Sequence, residues 1–296
     1  MRAISLGIGI VCKSARSGQV RNVGRFSRNV HRTLACFHVL CQTLENLLWI
    51  GARIPMPDLS VVIACYNEER VLEASVAEID RVLKQIHCDY ELIFVDDCSR
   101  DRTREIIAAL CDSDPRRRSI LHGTNFGRGG TVMDGFHAAT GKYVGFLDID
   151  LEVHARYIPS MLNALEDGAD VASAYRIYKV QLCFDDILRD VLSVGYRRLV
   201  RRLLSLPLKD TEAGYKFFRR EAILPILQRC RNKQWFWDTE VMALAYHSGL
   251  VIREIPCTFI RRWDCKSTVK PLRDSWNYFL ALLEFRRRLR QEGLRK

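Results

Sequence analysis

The chain has 296 residues, 46 Lys and Arg against 35 Asp and Glu for a formal charge of +11, and 48% hydrophobic residues. This composition excludes an intrinsically disordered chain, and the length allows one large α/β domain or two smaller ones while excluding a miniature disulfide scaffold. The charge is unevenly spread, with +7 in residues 1–57, −3 in residues 58–260 and +7 in residues 261–296; basic ends suit an anionic membrane surface, nucleic acid or solvated tails.

In chain order, residues 1–57 read as a basic N-terminal extension. Residues 1–33 contain no acid and are rich in Arg and Ser, which fits either a targeting segment or a flexible basic arm. Residues 34–50 place His38, Gln42, Glu45 and Trp49 on one helical face and Phe37, Leu40, Leu44, Leu47 and Leu48 on much of the other. That periodicity predicts an amphipathic helix, packed on the domain or lying in a membrane interface. No run of 18 apolar residues occurs, so no ordinary transmembrane helix is expected. Eleven cysteines without a CxxC pair predict reduced thiols on the cytosolic side of a membrane.

From residue 58 short apolar runs alternate with amphipathic stretches. The runs 59–65 (LSVVIAC), 91–95 (ELIFV), 119–122 and 143–147 (YVGFL) predict strands. Helices are expected up to about residue 87, over 101–111 and after Asn125. Nearly continuous apolar strands alternating with helices imply a largely parallel sheet covered on both faces, which binds ligands at the carboxyl ends of its strands. Those ends carry YNEE, DDCS, GTN and DID.

Neither GxGxxG nor GxxxxGK follows the first strand, which argues against a dinucleotide or P-loop site. The one glycine cluster, Asn125-Phe126-Gly127-Arg128-Gly129-Gly130, reads as a tight turn or as a close backbone approach to an anion at a helix N-terminus, with Arg128 adding charge. Asp148 and Asp150 are two residues apart, so an extended chain turns both carboxylates to one side. Two hard oxygen donors at a strand tip can hold Mg²⁺ or Mn²⁺, the remaining positions being filled by diphosphate and water.

These residues resemble the family 2 glycosyltransferases of the GT-A fold, and most closely their dolichyl-phosphate and polyprenyl-phosphate mannose and glucose synthases. The likeness spans residues 58 to about 270 and rests on Cys65-Tyr66-Asn67-Glu68-Glu69, Asp96-Asp97-Cys98-Ser99-Arg100-Asp101-Arg102-Thr103, Asn125-Phe126-Gly127-Arg128-Gly129 and Asp148-Ile149-Asp150, in order at four successive strand ends. It departs from the family pattern at Ala64 (usually Pro), Cys98 (usually Gly) and Arg128 (usually Lys).

The resemblance implies a single α/β GT-A catalytic domain over residues 58–270, flanked by the N-terminal extension and a basic C-terminal helix over 271–296. It implies that Tyr66, Glu68 and Asp97 hold the donor nucleotide, that Asp148 and Asp150 hold the metal, and that Arg128 and Gly129 meet the donor phosphates. Arg262, Lys266 and Ser267 match the family's Arg-x-x-x-Lys-Ser loop, which closes on the diphosphate. Arg176, Arg189, Ser193 and Lys216 match its acceptor-phosphate region, with Arg189 and Ser193 spaced to share a helical face.

The expected activity is inverting, metal-dependent transfer of a hexose from GDP-mannose or UDP-glucose to a dolichyl or other polyprenyl phosphate, by a cytoplasmic enzyme held peripherally on an anionic membrane. A phosphate acceptor is already an anionic nucleophile and needs no general base. Asp210, and Asp238 and Glu240 in the WFWDTE block, are the base candidates if the acceptor is instead a saccharide or glycolipid hydroxyl. The non-enzymatic alternative is a basic membrane- or RNA-binding protein that keeps the fold. No aromatic RNA-reading motif supports a nucleic-acid partner.

Overall fold

The computed structural model describes residues 57–178, 195–260 and 271–293. The expected extension, its helix over 34–50, and Arg189, Ser193, Arg262, Lys266 and Ser267 lie outside the described residues.

The elements follow in chain order. They are β1 (Leu59–Cys65), α1 (Leu72–Leu83), β2 (Tyr90–Asp96), α2 (Thr103–Ser113), β3 (Arg117–Leu121), α3 (Arg128–Ala138) and β4 (Tyr143–Leu147). A single 3₁₀ turn at Ala155–Tyr157 leads into α4 (Ile158–Glu166) and β5 (Val171–Tyr178). A helix over 195–204, α5, precedes β6 (Tyr215–Arg219), α6 (Arg220–Leu227), α7 (Trp237–His247), β7 (Ile252–Phe259) and α8 (Pro271–Gln291).

The seven strands form one sheet in the order β3-β2-β1-β4-β6-β5-β7. Only β6 runs against its neighbours β4 and β5; the other pairings are parallel. The α/β expectation therefore holds. The carboxyl ends of every strand but β6 share one edge, and the strand order reverses between β1 and β4. A crevice opens at such a reversal.

Successive side chains of a strand point to opposite faces, and the core divides accordingly. Leu59, Val61, Ile63, Leu92 and Phe94 pack with α1, Ile107 of α2 and Met161, Leu162 and Leu165 of α4. Val62, Ile93 and Val95 pack on the other face with Val132 and Phe136 of α3, Trp237 and Val241 of α7, and Leu282, Phe285 and Leu289 of α8. Both faces are covered, which is why the central strands read as unbroken apolar runs.

Candidate active site

The loops after β1 and β2 brace each other. The Asn67 amide donates to Ser99 Oγ (2.9 Å), the Glu68 amide to Thr103 Oγ1 (2.8 Å), and the Arg100 amide to Asn67 Oδ1 (2.8 Å). Asn67 has φ +58° and Cys98 φ +67°, left-handed conformations that Asn tolerates and Gly adopts freely. Cys98 thus stands at a position whose backbone explains the family's glycine. Buried Asp96 accepts from the Cys98 and Ser99 amides (both 3.1 Å) and from Arg104 Nε (2.6 Å). Tyr66 is exposed and Glu68 half-buried, with Glu68 near enough to Asp148 and Asp101 to feel their charge.

Asp97 is only 4% exposed. Its carboxylate accepts from the Phe126 amide (2.7 Å) and the Gly127 amide (2.9 Å), and His122 Nδ1 lies 3.1 Å from Oδ1. Asp97, expected at the donor nucleotide, thus faces the glycine turn, and its carboxylate meets the amides that lead into α3. Gly127, at φ +83°, shapes that turn. The Gly130 amide donates to the Lys233 carbonyl (2.9 Å), and a Cβ at Gly129 would collide with Trp237. The missing side chain at Gly129 therefore admits an aromatic ring of α7.

Asp148 stands just beyond β4, its amide donating to the Gly214 carbonyl at the start of β6 (2.9 Å), and its side chain is 46% exposed. Arg128 donates to Asp148 Oδ1 through Nε (3.2 Å) and Nη2 (2.5 Å), and through Nη1 to Asp238. Asp238 also accepts from Lys216 Nζ (2.7 Å), which donates in addition to the Ala213 carbonyl. Burial works to discharge Arg128, but Asp148 and Asp238 outweigh it and hold the guanidinium charged. Burial lowers the Lys216 pKa, with Asp238 opposing.

Lys216, expected in the acceptor-phosphate region, is 0% exposed and serves as counter-ion to Asp238. Asp238 is held between two cations, and buried Glu240 accepts from the Arg231 and Asn232 amides and from Arg288 Nη2 (2.5 Å). Both of these base candidates are thus paired with cations. Arg128 is engaged with the first aspartate of the DxD pair, and Arg176 makes a fork to buried Asp210 at 2.7 and 3.0 Å.

The carboxylates left at the crevice repel one another. Burial, then Asp148 and Asp101, push Glu68 up to about 7; burial, then Asp148 and Glu152, push Asp150 up to about 7. A divalent cation would relieve this repulsion, so the residues present fit one. Among the described residues no three His, Cys, Asp or Glu side chains close around a single ion. Asp148 and Asp150 would supply two oxygens and leave the remaining positions to phosphate and water, as Mg²⁺ prefers.

Two outcomes are expected from this geometry. A Cβ at Gly214 would collide with the Asp148 carboxylate and the Arg128 guanidinium, so Gly214→Ala weakens Mn²⁺ binding by about tenfold, one RT ln 10 of about 1.4 kcal/mol; titration calorimetry measures it, and unchanged affinity refutes it. For Glu68 the folded pKa lies above the unfolded one, so its contribution is most favourable below about 4.5 and is lost as pH rises to about 7. Glu68→Gln therefore stabilises the metal-free protein at pH 8 by on the order of 1 kcal/mol, allowing for partial exposure, and by nothing at pH 4. Denaturant unfolding at the two pH values reads the difference.

Gly214 and His122 were not singled out by sequence. Gly214 falls within the Asp-x-x-x-Gly motif, but its contact with Asp148 depends on the β4–β6 pairing, which no spacing reveals; His122 carries no signal at all.

A seven-stranded, mainly parallel sheet with two aspartates beyond β4 at the reversal of strand order is the architecture of the GT-A glycosyltransferases. The chain belongs to glycosyl transferase family 2, whose profile matches residues 60–226. It is 31% identical over 212 residues to "Glycosyltransferase AglD" of Haloferax volcanii, covering 71% of this chain and 34% of that protein. It is 28% identical over 221 residues to "Dolichyl-phosphate beta-glucosyltransferase" of Saccharomyces cerevisiae, covering 68% and 66%. The chain thus spans about a third of the first relative's length and about two thirds of the second's. Among solved structures, glucosyl-3-phosphoglycerate synthase from Mycobacterium tuberculosis superposes with a TM-score of 0.58 at 19% identity, over 78% of this chain and 80% of that one, a likeness of fold.

Proposed function

We propose that the chain transfers a hexose, with inversion, from GDP-mannose or UDP-glucose to the phosphate of a dolichyl or other polyprenyl phosphate, with Mg²⁺ or Mn²⁺ as cofactor. The observation that carries this reading is the neutralisation of the acceptor-side carboxylates. Asp210 is forked by Arg176, Asp238 is held by Lys216 and Arg128, and Glu240 by Arg288. A hydroxyl acceptor needs a base to take its proton, and a phosphate does not. The names of relatives lend support: besides the yeast protein, one of Yersinia pestis, 28% identical over 183 residues, is called "Undecaprenyl-phosphate 4-deoxy-4-formamido-L-arabinose transferase". Solved neighbours of the same fold hold UDP with Mn²⁺ or Mg²⁺.

In the reaction a phosphate oxygen bonds to the anomeric carbon as the bond to the donor diphosphate breaks, and the nucleoside diphosphate leaves with the electron pair. No proton need move. Tyr66 and Glu68 would line the nucleotide end of the crevice, and Asp148 and Asp150 would hold the cation, which when bound would neutralise charge growing on the leaving group. Arg128, fixed by Asp238, sets a further positive charge beside Asp148. Catalysis is then positioning and electrostatics. Residues 58–270 would form the catalytic domain, with 1–57 and 271–296 as basic flanks that hold it on the cytoplasmic face of a membrane. No described helix is long and apolar enough to cross one.

Incubating the protein with a panel of nucleotide sugars, a divalent cation and polyprenyl phosphate should carry labelled sugar into organic solvent for one donor. Absence of nucleoside diphosphate release from every donor would sink the reading.

A further inference from the structure

His122 follows β3 at the carboxyl edge of the sheet, its side chain 7% exposed. Its amide donates to the Asp96 carbonyl (2.9 Å), and its carbonyl accepts from Nη2 of Arg104 (2.5 Å), a residue whose Nε is bound to Asp96. The ring packs edge-to-face with Phe126, centroids 4.8 Å apart at an interplanar angle of 68°. Nδ1 is bonded to Asp97 Oδ1 at 3.1 Å. Nε2 lies as near to Oδ2 of half-exposed Asp134, on α3, but without the alignment of a hydrogen bond. The ring's one aligned bond among the described residues is thus the one to Asp97.

Oδ1 of Asp97 therefore takes two donors, Nδ1 of the ring and the Phe126 amide, while Oδ2 takes the Gly127 amide. A buried ring that donates to a carboxylate fixes its rotation, and a bond to an ionised group is the stronger kind. With the carboxylate plane fixed, both amides of the turn meet it together. The next residue, Arg128, carries the guanidinium that reaches Asp148. A run of adjacent contacts thus leads from His122 to the first aspartate of the DxD pair. Phe126, 40% exposed, is held on the way by both its amide and its ring.

We propose that His122 is a positioning residue of the donor site, its Nδ1 proton orienting Asp97 so that the turn carrying Phe126, Gly127 and Arg128 is set before a nucleoside diphosphate arrives. The inference rests on the reading of this crevice as a nucleotide-sugar site, yet the state of the turn is measurable without any ligand.

Asn carries its amide nitrogen where histidine has Nδ1, and Gln carries it where histidine has Nε2. His122→Asn therefore keeps the donor to Asp97, and His122→Gln removes it at similar size and polarity. Amide hydrogen exchange of the full chain without ligand reads protection at Phe126 and Gly127, and calorimetry with Mn²⁺ and either GDP or UDP reads nucleotide affinity. The Gln variant loses about tenfold in both, because the set turn falls to about a tenth of the population. The Asn variant keeps the protection and the affinity of the parent. A role in packing alone would move global stability, read by denaturant unfolding, and would not favour the smaller Asn over Gln. Parent-like protection and affinity in the Gln variant overturn the proposal, as do equal losses in both variants. If the parent binds neither nucleotide, the donor reading fails, while protection lost in the Gln variant and kept in the Asn variant still assigns the turn to His122.

Discussion

Asp150→Ala lowers turnover of a nucleotide sugar by about a thousandfold or more, the scale on which one electrostatic contact to a developing charge acts, while the fold survives. The argument starts at β4, whose residues are all buried and whose tip delivers the DxD pair into the crevice. Burial, then Asp148 and Glu152, hold the Asp150 carboxyl at about 7, so its ionised form is unfavourable in the metal-free protein. A raised folded pKa contributes stability that is present below the unfolded value near 4 and lost as pH rises through 7. Removing the group lifts that penalty, and at pH 8 the variant is at least as stable as the parent without metal. Metal then stabilises the parent and not the variant. Calorimetry of Mn²⁺ binding and unfolding at pH 8 with and without Mn²⁺ measure both effects; full activity of the variant, or of the parent in metal-free buffer, would contradict the assignment.

Asp238→Ala destabilises the protein by about 3–5 kcal/mol, the usual cost of removing one partner of a buried ion pair. Asp238 lies between Lys216 and Arg128, and Lys216 is wholly enclosed. Without Asp238 the ammonium keeps the Ala213 carbonyl alone, and Arg128 loses the anchor opposite Asp148. A general base would behave otherwise: its replacement by Asn would abolish turnover at unchanged stability. Pairing Asp238→Leu with Lys216→Met removes both charges and recovers much of the lost stability, but leaves Arg128 without its brace, so nucleoside diphosphate binding stays weak. Denaturant unfolding of the single and double variants separates the two roles, and recovery of donor binding in the double variant would defeat the positioning role.

The layout of the first half of the fold was readable because its central strands β1, β2 and β4 are buried on both faces. LSVVIAC, ELIFV and YVGFL could hardly be anything but central strands, and polar motifs at their ends had to gather on one edge. Reading β6 as the antiparallel member was beyond sequence, since its YKFFR run resembles its neighbours and only pairing with β4 and β5 sets its direction. The same limit explains Lys216: a lysine in a phosphate-binding motif reads as a ligand until the strand carrying it turns out to lie mid-sheet. Asp97 follows the same rule. A carboxylate at a strand end looks outward in sequence, but the glycine turn 29 and 30 residues later supplies amides that draw it in. Short spacings located the DxD pair correctly at a strand tip; partners far apart in sequence decided which neighbouring charges were spent internally.

The bond between Asp97 and the Phe126 and Gly127 amides has a consequence for the entropy of donor capture. A loop that waited for phosphate to satisfy its amides would have to be frozen by each arriving ligand, at a cost of about 1–2 kcal/mol per ordered residue. Here the turn is already set by the chain's own anion, so the ordering cost is met during folding, and under the proposed reaction a donor would meet a preformed surface.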